Sequence, residues 1–173
     1  MIVDYNINTG LLIVGHAALF LQDKAKNWYF TEFTGTKKRN AKVSCEPINE
    51  FLKTTTPNRK KVYCYTLLRS CLTSKLYKIG GCLCYYIKGN FDQSINIALK
   101  IKENYPKYNL VFNNCLSYAK YILGLGEFNN FMTGFYVRNS SSIVPTIFIN
   151  NLVIASSLYN TNYNRKMILR GII

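Results

Sequence analysis

The chain has 173 residues, a length that suits a single domain (1–173) with one substantial core. Apolar residues make up 49% of it, which excludes a largely disordered protein. Lys and Arg outnumber Asp and Glu by 22 to 8, and the resulting net charge of +14 favours an acidic partner, such as a nucleic acid, an anionic lipid surface or an acidic cell-wall polymer.

The first half of the chain is rich in strand-like segments. Leu11 to Phe20 and Trp28 to Thr34 are apolar, β-compatible runs with a polar connection, which predicts a hairpin. Pro47 is well placed to open a short helix. Val62 to Leu67 and Gly81 to Ile87 are rich in Tyr, Cys and Val, and they predict two further strands.

The second half is predominantly helical. Asp92 can cap a helix that runs to about Tyr105, where Pro106 would stop it, and Tyr108 to Phe112 reads as a short extended piece. Asn114 can cap a second helix that reaches about Leu123 and ends at the following glycines.

The C-terminal part predicts one more helix and a final strand. The helix begins near Pro145 and continues past Leu152, and the strand covers Lys166 to Leu169. The apolar stretch from Ile143 to Leu158 contains Pro and two Asn residues, so a buried helix explains it better than a membrane span. Leu11 to Leu21 is too short to cross a bilayer, and we expect no transmembrane segment.

The charge and the cysteines restrict partners and location. The basic residues lie in scattered groups of three without a zinc-finger, RNP or basic-zipper pattern, which disfavours nucleic acid and leaves an acidic surface as the expected neighbour. Several of the six cysteines lie in apolar runs, where a free Cys behaves as a small buried hydrophobe. A reducing cytoplasm is therefore the default, because the N-terminus also lacks the features of a signal peptide. Export by a non-classical route stays open.

Cys115 has the clearest catalytic position of the six thiols. It lies in the first turn of a predicted helix, where free N–H groups and the helix dipole stabilise a thiolate. His16, the single histidine, could serve as its base, and one histidine is too few for a typical zinc site. We expect no metal and no cofactor. The alternative is structural: Cys115 shares a helical face with Ala119 and Ile122, and His16 could be a satisfied buried histidine.

Two segments carry a resemblance to a known family: Gly15-His16-Ala17-Ala18-Leu19 followed by Trp28-Tyr29-Phe30, and Tyr108-Asn109-Leu110-Val111-Phe112-Asn113-Asn114-Cys115. Together they resemble the circularly permuted branch of the papain-like NlpC superfamily, which includes lecithin:retinol acyltransferase-like proteins and cysteine hydrolase domains at the ends of Rhs-type toxins. The resemblance covers about residues 10 to 35 and 80 to 125.

This resemblance implies Cys115 as the nucleophile and His16 as the base. It also implies an α+β, permuted papain-like fold in which a small antiparallel sheet packs against helices. Glu32 is the first choice for the group that orients the imidazole. If its strand face is exposed, Glu32 is a solvated carboxylate instead, and Thr31 becomes the alternative.

The residues next to the nucleophile can also be read in two ways. Asn113 and Asn114 either shape the oxyanion site or act only as turn former and helix cap.

Three functions follow as hypotheses. The first is a cysteine hydrolase that cleaves an amide bond in a peptidoglycan stem peptide or another peptide. The second is a lipid-directed thiol acyltransferase or phospholipase, which needs an apolar acyl channel; Phe128 to Tyr136 or the helix near Ile143 could supply it. The third is a non-enzymatic basic binding protein in which Cys115 and His16 are core residues.

Overall fold

The computed structural model describes residues 2–8, 13–36, 39–54, 76–79, 82–85, 87–102, 104, 108–109, 112–145 and 147–157. The strands are β1 (Ile2–Asn8), β2 (Ile13–Gln22), β3 (Trp28–Thr36), β4 (Arg39–Pro47), β5 (Leu76–Ile79), β6 (Cys82–Tyr85), β7 (Gly89–Asn90) and β8 (Glu127–Phe128). The helices are α1 (Ile48–Thr54), α2 (Asp92–Ile101), α3 (Cys115–Gly124), α4 (Phe131–Asn139) and α5 (147–157).

An antiparallel sheet of six strands organises the fold. Its order is β4-β3-β2-β1-β6-β5, and every neighbouring pair is antiparallel. β7 and β8 form a separate two-stranded sheet. The predicted α+β class, with an antiparallel sheet packed against helices, is confirmed.

The hairpin of β2 and β3 opens at one end. Cross-strand pairing runs from Gln22 and Trp28 to Ala18 and Glu32, where it stops. Beyond that point β2 continues along β1 and β3 continues along β4. The two strands therefore diverge, and His16 lies at the resulting gap in the sheet.

The main core lies between one sheet face and the helices. Alternation along β2 directs Ala17, Leu19 and Leu21 to this face, where they join the buried side of α3. That side of α3 comprises Cys115, Leu116, Tyr118, Ala119, Ile122 and Leu123. α2, α4 and α5 complete the layer, so α3 is fixed between the sheet and other helices.

A smaller aromatic group fills the opposite sheet face. Phe20 and Phe30 are fully buried and lie 5.3 Å apart between ring centroids. Phe51 of α1 covers them, with its ring centroid 4.0 Å from that of Phe30. α1 thus closes the face on which the even-numbered residues of β2 and β3 lie.

Several predicted elements are confirmed. They are the β2–β3 hairpin, the short helix after Pro47, a strand within 81–87, and the last helix. The last helix is amphipathic rather than wholly buried, since Phe148 and Leu152 are buried whereas Ile147 and Ile154 are exposed. Within the described residues, no helix is both long enough and apolar enough to span a bilayer.

Other predicted elements need correction. α2 ends at Ile101 rather than near Tyr105, and its N-cap is Phe91, which makes no side-chain cap. Asp92 instead accepts a hydrogen bond from the Lys24 backbone N–H at 3.0 Å. Of the predicted extended piece from Tyr108 to Phe112, residues 110 and 111 lie outside the described residues, and Asn109 pairs with Asn113 in an isolated antiparallel bridge. The predicted strands at 62–67 and 166–169 and the stop at Pro106 lie outside the described residues.

The segment proposed as an acyl-channel wall forms β8 and α4. Thr133 and Val137 of α4 are buried against the core, whereas Phe131 and Phe135 face solvent and stack on each other with 6.2 Å between ring centroids. Phe128 and Tyr136 are partly buried against the core, so the aromatic residues of this segment are divided between core and surface.

Candidate active site

A fully capped helix start carries the candidate nucleophile. The Asn114 side chain accepts hydrogen bonds from the backbone N–H groups of Leu116 at 3.0 Å and Ser117 at 2.9 Å. The Ser117 hydroxyl in turn accepts from the Asn114 N–H at 2.8 Å, completing a capping box. The predicted cap is confirmed. Cys115 is the first residue of α3, so its own N–H is one of those that no helical carbonyl accepts.

The imidazole of His16 is fixed by a carboxylate on the neighbouring strand. His16 Nε2 lies 2.9 Å from Glu32 Oε2, and the exposed fractions of the two side chains are 12% and 10%. Both residues lie on the same sheet face at the end of the paired part of the hairpin. The alternative in which Glu32 is a solvated carboxylate is therefore wrong, whereas its proximity to His16 is what an orienting residue requires.

Cys115 completes a chain of three polar groups. Its side chain is hydrogen-bonded to the His16 ring. Glu32 occupies Nε2, so Nδ1 is the ring nitrogen left for the thiol. The Ala17 backbone N–H also donates to the sulfur. Burial alone would raise the pKa of Cys115, but the hydrogen bond and charge of His16, with the Ala17 N–H, outweigh it and hold that pKa below its ordinary value.

The same contacts shift His16 in the opposite direction. Burial disfavours the imidazolium, yet the hydrogen bonds and charges of Cys115 and Glu32 raise the pKa of His16 to about 9. A lowered thiol pKa beside a raised imidazole pKa favours a thiolate and an imidazolium at neutral pH. This is the charge state that an attacking cysteine needs.

Tyr108 is a site residue that had no assigned role in the sequence. Its hydroxyl donates to the Cys115 sulfur and accepts from the Cys115 backbone N–H. Burial and the adjacent Cys115 charge raise the pKa of Tyr108 to about 12, so the hydroxyl keeps its proton at neutral pH. The hydroxyl therefore lies against the Cys115 N–H, which has no acceptor within α3.

The position of Tyr108 depends on a tight turn and on a glycine. Asn109 and Asn113 exchange two backbone hydrogen bonds of 2.9 and 3.0 Å, which holds these two residues together just before Cys115. The Tyr108 ring then packs on Phe33, with 5.0 Å between centroids, and directly over Gly35, where a Cβ would overlap the ring. A Tyr seven positions before the thiol was visible in the sequence, but no periodicity predicts this turn.

The remaining candidates have structural partners. Asn114 uses its side-chain oxygen as the helix cap, and Asn113 closes the turn through its backbone. Thr31 lies on the core face, where its hydroxyl donates to Ser44 O at 2.7 Å and lies 2.6 Å from the Tyr118 hydroxyl. Thr31 is therefore directed away from His16, and Glu32 takes the position beside the imidazole.

Cys45 provides an internal contrast among the thiols. It lies on β4 in the main core, and burial raises its pKa to about 11. The two cysteines whose side chains the structure describes in detail thus differ in the direction of their pKa shifts. Within the described residues, no group of three or more His, Cys, Asp or Glu side chains is arranged to hold a metal ion.

Comparison of the chain with protein-family models, with curated proteins and with solved structures finds no match in any of the three. The assignment of a function therefore depends on the chemistry of the arrangement around Cys115.

Proposed function

We propose that the protein is a cysteine hydrolase that cleaves an amide bond through a thioester on Cys115. One observation carries this proposal: the His16 ring bridges a thiol at a capped helix start and the Glu32 carboxylate. Nucleophile, base and orienting group are what thiol catalysis requires, in that order. The motifs around His16 and Cys115 further support a place in the permuted branch of the papain-like NlpC superfamily.

In the first half of the reaction, the Cys115 thiolate attacks the carbonyl carbon of the substrate and a C–S bond forms. The carbonyl π electrons move to oxygen, which becomes an oxyanion near the Cys115 N–H. The Tyr108 hydroxyl is the second donor available there. The oxyanion would replace the thiolate as acceptor of this hydroxyl, and the Tyr108 oxygen as acceptor of the Cys115 N–H. His16 imidazolium gives its Nδ1 proton to the leaving nitrogen as the C–N bond breaks. An amine departs, leaving a thioester and a neutral imidazole.

The second half regenerates the enzyme. A water molecule attacks the thioester carbonyl while His16 Nδ1 accepts one of its protons. The second tetrahedral species collapses with cleavage of the C–S bond, which releases a carboxylic acid and restores the thiolate beside the imidazolium. Glu32 keeps Nε2–H hydrogen-bonded throughout, so the ring presents Nδ1 to the reacting atoms in both halves.

The positive charge of the chain supports an acidic or wall-associated substrate. A net charge of +14 raises the local concentration of anionic polymers. A peptidoglycan stem peptide contains amide bonds and is attached to such a polymer. We therefore place stem peptides first among the substrates to test, followed by other peptides.

The first test is selective labelling of thiols. Native protein is treated with iodoacetamide between pH 6 and 9, and labelled cysteines are mapped by mass spectrometry. We expect Cys115 to react far faster than Cys45 at pH 7, because only its pKa is lowered. The Cys115→Ala variant should lose the fast phase and Cys45→Ala should keep it. Equal inertness of both thiols in the folded protein would contradict the proposal.

A substrate screen follows from a positive result. Peptidoglycan fragments, peptides and fatty acyl esters are incubated with native protein and with the Cys115→Ala variant, and products are identified by mass. Release of new carboxylates from amide substrates supports the hydrolase. Transfer of fatty acyl groups, with no cleavage of amides, would show instead that the thioester serves lipid chemistry.

A further inference from the structure

A cavity lies at the closed end of the β2–β3 hairpin, away from the thiol. It has a volume of about 370 Å³ and is lined by the hairpin tip, the segment around β7 and Asn129. This volume is near the lower limit of small-molecule sites, which run from about 300 to 1,000 Å³. Gln22 in its wall lies six positions along β2 from His16, roughly 20 Å at about 3.3 Å per residue. None of the active-site residues lines it.

The lining of this cavity is positively charged. Three lysines, Lys24, Lys26 and Lys88, contribute to it against one carboxylate, Asp23. Asp23 already accepts hydrogen bonds from the backbone and side chain of Asn27, at 2.8 and 3.0 Å. Lys24 has its own carboxylate partner, since its Nζ lies 3.7 Å from Asp92.

Lys26 and Lys88 remain as cations for a ligand. Both side chains are exposed, and the ion pairs found in the described ranges include neither of them. They come from separate segments, one from the hairpin turn and the other from the residues that precede β7. An anionic group in the cavity would therefore have two lysines from different segments as candidate partners.

The other lining groups suit a hydroxylated ring. Trp28 is half-buried at the start of β3 and contributes an indole, whose flat apolar surface can stack on a ring. The amides of Gln22, Asn90 and Asn129 also line the cavity. Those of Gln22 and Asn90 already make hydrogen bonds of 3.2 Å within the protein, so sugar hydroxyls would use the Asn129 amide and the second N–H of the other two.

We propose that this cavity binds an acidic saccharide unit, with the ring on Trp28 and its anionic group between Lys26 and Lys88. The cavity would thereby hold part of an anionic polymer at a distance from the thiol. Binding here does not depend on the thiol chemistry, because the cavity shares no residue with the candidate active site, so a Cys115→Ala variant should bind as the native protein does.

The single Trp of the chain allows a direct test. Fluorescence of Trp28 is followed during titration with a glucuronic acid disaccharide, with the matching neutral glucose disaccharide and with AMP, and each titration is repeated by calorimetry. We expect saturable binding of the acidic disaccharide and about tenfold weaker binding of the neutral one. A hydrogen bond to a charged group contributes at least as much free energy as a tenfold change in Kd.

The variants distinguish this cavity from general charge attraction. Lys88→Gln should weaken binding of the acidic disaccharide about tenfold, whereas Lys53→Gln, which removes an exposed lysine of α1, should leave it unchanged. Equal effects of the two variants, or no saturable binding by either method, would overturn the proposal. Tighter binding of AMP than of the acidic disaccharide would also overturn it and indicate a nucleotide site.

Discussion

Replacing Glu32 by Gln should lower the pKa of His16 by about one unit. The amide keeps the shape of the side chain and can still accept from Nε2–H, but it removes a negative charge that lies 2.9 Å from the ring. A hydrogen bond to a charged group contributes about 1.5 to 3 kcal/mol, against about 1 kcal/mol for a neutral one. The difference of about 0.5 to 2 kcal/mol corresponds to a shift of about 0.4 to 1.5 pKa units, centred near one unit.

The direction follows from which form Glu32 stabilises. The carboxylate favours the imidazolium and helps to raise the pKa of His16 to about 9, so the native ring keeps its proton until the pH rises to that value. In the Glu32→Gln variant the ring should lose the proton near pH 8, about one unit earlier. The alkaline limb of any amidase activity should move down by the same amount, because the protonated ring is the acid that serves the leaving nitrogen.

His16 is the single histidine of the chain, so a proton NMR titration of its ring C–H signals in untagged protein reports this pKa without ambiguity. Glu50→Gln is the matched control, since Glu50 is an exposed carboxylate on α1 that pairs with Lys53. A titration midpoint in Glu32→Gln that stays within about 0.3 unit of the native value, or rises, would refute the role assigned to Glu32.

Three further outcomes test the surroundings of the thiol. Tyr108→Phe should lower kcat on the amide substrate by about 100-fold with little change in KM, as expected for loss of an oxyanion donor, and an unchanged kcat would exclude that role. Gly35→Ala should push the Tyr108 ring from its place and lower stability by about 1 to 3 kcal/mol in urea unfolding. Gly124→Ala is its control, because a Cβ there meets its nearest atom at 3.7 Å. Asn114→Ala should cost about 1 to 2 kcal/mol of unfolding free energy and slow labelling of Cys115, whereas Asn114→Ser should retain most of both.

The parts of the fold that the sequence predicts well are those with strong local signals. The hairpin has two apolar runs with a polar turn, and α3 has an N-cap and a C-terminal glycine, Asn114 and Gly124. β1 and β4 were not predicted, although both alternate apolar and polar residues: Val43 and Cys45 alternate with Lys42 and Ser44 on β4. This strict alternation of apolar and polar residues is the sequence signal of a half-buried strand, and it is present in both segments.

α4 was missed for a different reason. Its sequence contains Thr, Gly, Val and aromatic residues, all of which have modest or poor helix propensity. Tertiary contacts override that preference: Gly134 lies close to the Phe128 ring, and Thr133 hydrogen-bonds to Ser156 of α5 at 2.7 Å. Such contacts join distant parts of the chain, and no local pattern encodes them.

The candidate site likewise contains residues that the sequence predicts and residues that it does not. His16, Glu32 and Cys115 could be named because each residue type has a recognisable chemistry at a predicted strand or helix start. The contributions of Tyr108 and of the Ala17 N–H could not, because they depend on the Asn109–Asn113 turn and on the divergence of two strands. Backbone donors in particular have no side-chain signature in a sequence.

The divergence of β2 and β3 also determines when a reactive thiol can exist. The gap beside His16 forms between two neighbouring strands of one hairpin, whereas Cys115 belongs to a helix that lies much later in the chain. Such non-local contacts form late, after a costly loop closure. A partly folded chain should therefore carry Cys115 as an ordinary, slowly reacting thiol. The rate of its alkylation during refolding would then follow the docking of α3 onto the sheet.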